Sequence, residues 1–418
     1  MKKFLFTMLA MLSIGSTAYG DEVKVDDVTI PKNGKSAIIV NFNQSNKSTI
    51  SGLTFKITLP EGVEFVEPAN SEDVSWFATG STFNGSVVPN ILGNSSKRVL
   101  NVPMAAAYPI RGSKGMVFAV KIKTSSTLTA GTTLKGTVSE VTDTPDGQTV
   151  YNLDGSEFNI TVADCDVVLD ENSPFMPEAT SDNVDILVKR TLTPGEWSTI
   201  CLPFHLDWST FKNIFGTNVN LAEFVDFEKE EELISIINFD EVEMPTNSSD
   251  EDEHFYGNWP YLIKISTSKP INSFVVNAII QPDEDAAVAE YTNGRTGNKK
   301  KVFGSFIGSL TADKVIPADR LFISNNEFYY SIGSTRMKAF RGYFDLENKL
   351  KTNTLSRAFV NGKSIESFDD GTTGIRNHYI SEAGKVYSVT GRYVGENVNM
   401  KSLPKGIYIV DGVKIVNE

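Results

Sequence analysis

The stretch Leu53-Thr54-Phe55-Lys56-Ile57-Thr58-Leu59 decides the fold of the first third of the chain. Apolar and polar residues alternate strictly along it, and Pro60-Glu61-Gly62 follows before the apolar alternation resumes at Val63. Successive side chains of a β-strand point to opposite faces of its sheet, so strict alternation places every apolar residue on one face. The pattern therefore predicts a half-buried strand that ends in a turn.

Similar runs recur on both sides of this stretch. Gly115–Ile122, Thr133–Val138 and Phe158–Val162 are rich in β-branched residues, and Asp154-Gly155 supplies a turn before the last of them. Between residues 21 and 163 the sequence holds eight or nine such short runs and no helical period. This spacing of strands and turns predicts an all-β domain of the sandwich type.

A second β-rich region follows, with one predicted helix. Asp207 can cap the helix, Phe211, Ile214 and Phe215 share one face, and Gly216 can end it. The surrounding predicted strands are Val184–Leu192, Trp197–Phe204, Leu233–Phe239, Tyr261–Ile265, Phe274–Ile280, Lys301–Ile307, Leu321–Ile323 and Phe328–Ser331.

The order of these patterns predicts four segments. Residues 1–20 form an export signal, 21–163 a β-sandwich, 164–368 a β-rich domain, and 369–418 a linker with a small C-terminal β module. The acidic, proline-containing stretch Asp164–Asp185 is the predicted linker between the two larger domains. In the tail, short runs separated by Thr390-Gly391 and Asp411-Gly412 predict hairpins.

The first twenty residues have the order of a secretory signal. Lys2 and Lys3 precede the apolar run Phe4–Ile14, and small residues lead up to Gly20. Asp21 follows the expected cleavage point where a lipid anchor would need a cysteine, and no later apolar run is long enough to span a bilayer. The chain is expected to be secreted or exposed at the cell surface, with an association to the outer membrane left open and no transmembrane anchor.

The charge balance argues against one class of partner. The formal net charge is −13, whereas nucleic-acid binding gains affinity by neutralising phosphates with lysine and arginine. No nucleic-acid partner is predicted.

The two cysteines, Cys165 and Cys201, leave three alternatives open. In an oxidising compartment they could form a disulfide; they could also be two buried thiols, or one buried and one exposed. With His205, His254 and His378 they show no metal-ligand spacing, so neither a metal nor another cofactor is predicted.

Signatures of enzymes are missing from the sequence. It contains neither a G-x-S-x-G nor an H-E-x-x-H motif. The triplets Gly34-Lys35-Ser36 and Gly362-Lys363-Ser364 lack the earlier glycine of a phosphate-binding loop, because Thr29 and Arg357 occupy that place. No catalytic residues are assigned and the protein is predicted not to be an enzyme.

The N-terminal region resembles the cohesin-like, carbohydrate-binding-module-like β-sandwiches of bacterial surface proteins. The resemblance lies in DEVKVDDVTIPKNGKSAIIVNFNQS (21–45), ISGLTFKITLPEGVEFVEP (50–68) and GMVFAVKIKTSSTLTAGTTLKGTV (115–138). Cohesins bind dockerins and related sandwiches bind polysaccharide, so the resemblance implies a role in recognition.

The rest of the chain resembles secreted and surface proteins of Bacteroidetes. The segments TLTPGEWSTICLPF (191–204), WPYLIKI (259–265), IPADRLFISNNEFYYS (316–331) and MKAFRGYFDL (337–346) are similar to a β-rich module of such proteins. The tail GKVYSVTGRYVGENVNMKSLPKGIYIVDGVKIV (384–416) looks like the C-terminal sorting domain of the type IX secretion family. That family usually ends on basic residues, whereas this chain ends Val416-Asn417-Glu418.

Four aromatic residues are candidates for ligand binding. Trp76 and Phe77 lie between predicted strands, where their rings could stack on a sugar or could close the end of the sandwich. Trp259 and Tyr261 are the second candidate pair, with a role in the core or at its rim as the alternative.

These features together predict a secreted or surface-exposed, non-catalytic binding or adhesion protein that recognises a glycan or another surface protein. A structural component of a surface appendage is the alternative, and a glycan-active hydrolase is a further one.

Overall fold

A computed structural model of the chain describes the two larger domains and the strands of the tail. The described residues are 21–43, 49–92, 97–111, 114–124, 128–145, 147–230, 233–245, 254–283, 288–292, 303–324 and 326–346, with the short pieces 357–360, 363–364, 385–388, 393–396, 406–410 and 413–417. The predicted export signal and the predicted linker of the tail lie outside the described residues.

The N-terminal domain is built from strands alone among its described residues. They are β1 (Glu22–Val25), β2 (Val28–Pro31), β3 (Lys35–Asn43), β4 (Thr49–Thr58), β5 (Val63–Phe65), β6 (Phe77–Thr79), β7 (Gly85–Val87), β8 (Asn90–Leu92), β9 (Val99–Arg111), β10 (Lys114–Thr124), β11 (Thr133–Thr144), β12 (Tyr151–Leu153) and β13 (Ser156–Ala163).

These strands form two sheets that pack face to face. The first sheet has the order β1-β3-β10-β5, with β6 also paired to β10. The second sheet has the order β2-β13-β11-β4-β9-β7, with β12 on β11 and β8 on β9. All pairs are antiparallel except β2 with β13, which run parallel.

The alternation in the sequence fixes which side chains fill the sandwich. Phe55 and Ile57 on β4 are fully buried, whereas Thr54 and Lys56, which alternate with them, point outward. From the first sheet, Phe118 of β10 meets Phe55 edge to face, with 6.1 Å between ring centres. Burial of large apolar side chains of this kind is the main stabilising contribution to a sandwich.

The second domain contains more strands and one helix among its described residues. Its elements are β14 (Val167–Asp170), β15 (Val184–Lys189), β16 (Trp197–Ile200), β17 (Leu206–Asp207), α1 (Trp208–Phe215), β18 (Asn220–Glu230), β19 (Leu233–Glu241), β20 (His254–Phe255), β21 (Tyr261–Lys264), β22 (Phe274–Ala278), β23 (Val288–Thr292), β24 (Phe303–Ser309), β25 (Lys314–Ile316), β26 (Leu321–Ser324), β27 (Glu327–Tyr330), β28 (Thr335–Met337), β29 (Arg341–Asp345), β30 (Arg357–Val360) and β31 (Lys363–Ser364).

These elements form several small sheets around two larger apolar clusters and a third, small one of Ile316, Met337 and Tyr343. The larger sheets have the orders β16-β21-β18-β19-β30-β31 and β23-β24-β29-β26-β27, and β14-β15-β22 form a third. The predicted helix is confirmed. The Asp207 carboxylate accepts from the Thr210 backbone N–H at 2.9 Å, and Phe211 and Phe215 are buried.

The described residues of the tail form four strands, in line with its hairpin pattern. β32 (Lys385–Ser388), β33 (Tyr393–Glu396), β34 (Gly406–Val410) and β35 (Val413–Asn417) pair antiparallel in the order β33-β32-β34-β35.

The prediction of an all-β fold with one short helix is confirmed by this architecture. One detail differs from expectation. The predicted linker Asp164–Asp185 is partly a strand, because β14 pairs in parallel with β15. The two strands are separated by residues 171–183, and such a pairing leaves no local signal in the sequence.

Candidate functional site

The candidate pair Trp76 and Phe77 packs in and against the apolar core of the sandwich. Trp76 is 6% exposed, and its ring meets that of Phe77 edge to face with 5.1 Å between centres. Phe77 is half-buried and stacks on Phe118 at 6.0 Å. The Trp76 carbonyl also accepts from the backbone N–H of Lys121 at 2.8 Å. Trp76 thus lies in the apolar core of the sandwich, and Phe77 is partly buried beside it.

The second candidate pair lies in the other domain. Tyr261 is 1% exposed, and burial raises the pKa of its phenol. Trp259 is half-buried and packs against the two larger apolar clusters of the second domain. The structure does not bring these residues together with Trp76 into one open site, because Trp76 belongs to the core of the first domain.

Both cysteines are free thiols in the structure. Cys201 is fully buried, and burial raises the pKa of its thiol to about 12. Cys165 is half-buried, with its pKa raised by the same cause. The disulfide considered from the sequence is not formed here.

Two histidines meet at the surface of the second domain. Nε2 of His254 lies 2.9 Å from Nδ1 of His205, and the Tyr256 ring adjoins both imidazoles. Burial, and then the neighbouring His254, lower the pKa of His205. Within the described part of the chain no group of three or more histidine, cysteine or acidic side chains has the arrangement of a metal site.

The acidic residue that follows β14 is surrounded by cations. The Glu171 carboxylate is 4% exposed and accepts from Arg341 and Lys338 at 2.9 Å each, with Arg190 at 3.4 Å. Arg190 is fully buried, and that burial lowers the pKa of its guanidinium to about 9. This cluster joins β14 to β15 and to β29, and so fixes the place where the chain enters the second domain.

The segment Glu171–Thr180, called here the bridging segment, lies against the outer face of the first sheet. Nζ of Lys121 on β10 is 5.0 Å from the centre of the Phe175 ring, and Lys35 on β3 pairs with Glu178 at 2.9 Å. Ala119, which points to this outer side, is fully buried. The outer face of the first sheet is therefore a covered face.

A second contact holds the two domains together beside the covered face. The backbone N–H of Ser81 donates to the Asp313 carboxylate at 2.5 Å, and Arg336 donates to the Ser81 hydroxyl at 2.6 Å. Arg336 and Asp313 also form an ion pair at 3.4 Å. Two separate contacts of this kind define the orientation of the first domain on the second.

The outer face of the second sheet, the open face, carries small polar side chains. Thr54 of β4 stands between Thr142 of β11 and Pro103 of β9. Two residues further along β4, Lys56 stands between Ser139 of β11 and Asn101 of β9. A β-bulge between Ser139 and Thr142 places Glu140 at φ 50°, and its carboxylate pairs with Lys56 at 2.6 Å. The result is a polar surface with hydrogen-bonding groups on neighbouring strands.

Two exposed tyrosines stand at one end of this sheet. Tyr108 is 79% exposed. It lies in the irregular part of β9 between Ala105, which pairs with Gly52, and Ile110, which pairs with Ile50. Tyr151 on β12 is 54% exposed and pairs with the buried Asp143 at the same end, so its ring lies on the inner side of the sheet and not on the open face. Sequence reasoning missed both residues. The signal that could have found Tyr108 is Pro109 directly after it, since proline inside a strand marks an edge or a bulge.

Comparison with known proteins gives similarity at the level of structure alone. No protein-family model matches the sequence, and no curated protein matches it. The sixth cohesin of scaffoldin B from Acetivibrio cellulolyticus, solved with a dockerin, is similar at 14% identity and a TM-score of 0.28, over 34% of this chain and 99% of that chain.

Two further cohesins show the same extent of similarity. A non-cellulosomal cohesin from Archaeoglobus fulgidus has 15% identity and a TM-score of 0.26, over 34% of this chain and 91% of that chain. The cohesin module of a family 33 glycoside hydrolase from Clostridium perfringens has 10% identity and a TM-score of 0.26, over 35% and 96%. At this identity the similarity concerns the fold and not the ligand.

Among the described residues, no helix has the length and apolarity that a bilayer crossing requires.

Proposed function

We propose that the protein is an exported, non-catalytic binding protein whose N-terminal sandwich docks a partner protein of the cell surface on its open face. Export is supported by the signal-like order of residues 1–20 and by the resemblance of the tail to a sorting domain. The sequence resemblance of residues 21–163 to cohesin-like sandwiches implies recognition, and it supports a protein as the partner.

The different surroundings of the two outer faces of the sandwich carry this proposal. The bridging segment lies on the covered face, where Lys121 contacts Phe175 and Ala119 is fully buried. Thr54 on the opposite outer face keeps part of its surface exposed, and Pro103 beside it is exposed. Within the described part of the chain, a partner can therefore approach the sandwich on the open face without displacing the bridging segment.

The chemistry of the open face suits a protein partner. Its hydroxyl, amide and charged groups, such as those of Thr54, Thr142 and Lys56, can exchange hydrogen bonds with a second polar surface. A glycan partner is the other outcome that the experiment below distinguishes.

The test measures retention of the biotinylated full chain on intact cells of the bacterium that makes it. Cells are used untreated, after protease treatment, and after periodate oxidation of their glycans. We expect protease, and not periodate, to abolish retention. The double variant Thr54→Arg, Thr142→Arg should bind about tenfold or more weakly, because the two residues are paired neighbours on the open face and long charged side chains there would obstruct the contact.

The matched control is Ser268→Arg, Ser273→Arg, since both serines are exposed but lie in the second domain. It should bind as the wild type does. Equal retention of the Thr54→Arg, Thr142→Arg variant and the wild type would refute the role of the open face. Loss after periodate alone would replace the protein partner by a glycan.

A further inference from the structure

A cavity lies between the covered face and the chain that leads into the second domain. Its volume is about 410 Å³, and one wall is formed by β3 and β10 while the other is formed by β14 and the bridging segment. This junction cavity is separate from the open face, which lies on the other side of the sandwich. Its volume falls within the range of pockets that hold small organic ligands, about 300–1,000 Å³.

The middle of the junction cavity is apolar. Ile39 points outward from β3, between the fully buried Ile38 and Val40, and Phe175 and Met176 of the bridging segment line the opposite wall. All three lining side chains are half-buried, so they keep surface that a ligand could cover. Apolar atoms on both walls favour a ligand with an aromatic or alkyl body.

One wall of the junction cavity is cationic. Lys123 on β10 stands directly opposite Lys35 on β3, and Lys121 lies two residues along the same face. Lys35 pairs with Glu178 at 2.9 Å, and Lys123 approaches Glu64 at 3.6 Å. Lys121 instead has its ammonium over the Phe175 ring, and it forms no ion pair with a carboxylate of the described residues.

The acidic side chains that line the cavity already have partners. Asp170 pairs with Lys189 at 2.6 Å, and Glu178 with Lys35. The Asp166 carboxylate accepts the backbone N–H of Asp185 at 2.9 Å. The ammonium of Lys121 thus lies over a ring face, and the carboxylate that feels its charge, Asp73, is outside the cavity lining and forms no direct ion pair with it.

We propose that the junction cavity binds a small amphipathic anion, a molecule with one carboxylate or sulfonate on an aromatic or alkyl body. The acidic group pairs with Lys121, and the body lies between Ile39 and the side chains of Phe175 and Met176. A charge-assisted hydrogen bond in a half-buried site is stronger than one between neutral groups. The bound ligand would touch both domains, so its binding should also stabilise their contact.

The test compares two fluorescent probes with nearly the same aromatic body, both titrated into the full chain. Anilinonaphthalene sulfonate carries an anionic group, and phenylnaphthylamine is neutral. We expect saturable binding of the sulfonate at one site per chain, and weaker binding of the neutral probe. Dodecanoate should displace the sulfonate, and dodecanol should do so much less.

Substitutions locate the site and separate charge from shape. Lys121→Met keeps the bulk of the side chain and removes its charge, so it should weaken the sulfonate about tenfold or more, the equivalent of one hydrogen bond to a charged group, and leave the neutral probe within about twofold. Phe175→Ala should weaken both probes. Lys135→Met is the control, because Lys135 stands 68% exposed on the second sheet, away from the cavity.

Three outcomes would refute the proposal. The first is the absence of saturable sulfonate binding, and the second is unchanged sulfonate binding in Lys121→Met. The third is an equal loss of both probes in Lys121→Met, since that result would indicate a loosened wall and not a lost charge. A thermal unfolding curve of each variant shows whether its fold is retained.

Discussion

Oε2 of Glu171 lies 3.4 Å from a terminal nitrogen of Arg190, and both side chains are almost completely withdrawn from water. Arg341 and Lys338 complete the surroundings of the carboxylate at 2.9 Å each. One carboxylate thus balances three cations at the entry to the second domain. An ionised group so placed is costly to leave without a partner, so this cluster should govern the stability of the domain junction.

Replacement of Glu171 by glutamine should destabilise the protein strongly. The variant keeps the shape of the side chain but leaves the buried Arg190 without a carboxylate. Breaking a buried ion pair in this way costs about 3–5 kcal/mol in the free energy of unfolding. Denaturant unfolding measures it, with Glu157→Gln as the control, because the exposed pair Glu157–Lys135 should contribute only about 0–1 kcal/mol. Equal effects of the two substitutions would contradict the prediction.

The same carboxylate should make stability depend on acid pH. Burial alone would raise the pKa of Glu171, but Arg341 and Arg190 lower it below its ordinary value of 4.5. Its contribution is fully present above that ordinary value and is lost as the pH falls through the lower pKa of the folded state. We therefore expect the difference between wild type and Glu171→Gln to shrink progressively below about pH 4.5.

A second carboxylate should act in the opposite sense. Asp143 is 3% exposed, and burial together with the Asp21 carboxyl raises its pKa from 3.8 to about 6. The folded protein then holds this proton more tightly than the unfolded chain does, so stability is lost as the pH rises through that interval. Asp143→Asn, which stays neutral, should melt roughly 2–4 °C above the wild type near neutral pH, for about 1 kcal/mol gained.

The pH dependence of that difference is the decisive measurement. Below about pH 4 the wild-type carboxyl is protonated, so the two melting temperatures should converge. Asp154→Asn provides the control, since Asp154 is exposed on a turn. A constant difference between Asp143→Asn and wild type at every pH would show that the titration of Asp143 is not its cause.

Strand β4 and helix α1 could be predicted from the sequence, because each is specified by a pattern of residues that are close together in the chain. The alternation from Leu53 to Leu59 specifies which face of β4 is buried, and Phe55 and Ile57 are indeed fully buried. The helix is marked by its own capping residue Asp207 and by Gly216 at its end. These features depend only on neighbours within a few residues, so the sequence displays them directly.

Features that depend on distant chain segments could not be predicted. Arg190 lies in a run that indicates a strand, and an arginine there is ordinarily expected at the surface; its burial depends on Glu171, which is 19 positions earlier. Trp76 was a plausible ring platform until its surroundings were known, because the pairing of β6 with β10 decides that the ring is covered. The covered and open faces differ only through the path of the bridging segment.

The N-terminal cap of the helix should contribute a small and separable amount of stability. The Asp207 carboxylate accepts from the backbone N–H of Thr210 at 2.9 Å and from its hydroxyl at 2.6 Å. Asp207→Ala should lower the free energy of unfolding by about 1 kcal/mol, whereas Asp207→Asn should keep most of it. Denaturant unfolding followed through tryptophan fluorescence measures both, since Trp208 opens the helix. An alanine variant as stable as wild type would contradict the capping role.

The two cysteines should differ in their reactivity with an alkylating reagent. Burial raises the pKa of the Cys201 thiol to about 12, and its side chain is fully enclosed, so iodoacetamide should not modify it in the folded protein. Cys165 is half-buried and should react slowly, because its pKa is also raised. Mass spectrometry of peptides from protein alkylated before and after unfolding measures both thiols. In denaturant without reductant both should be labelled. If neither is labelled until reductant is added, the two cysteines form a disulfide in the purified protein and the prediction of free thiols is wrong.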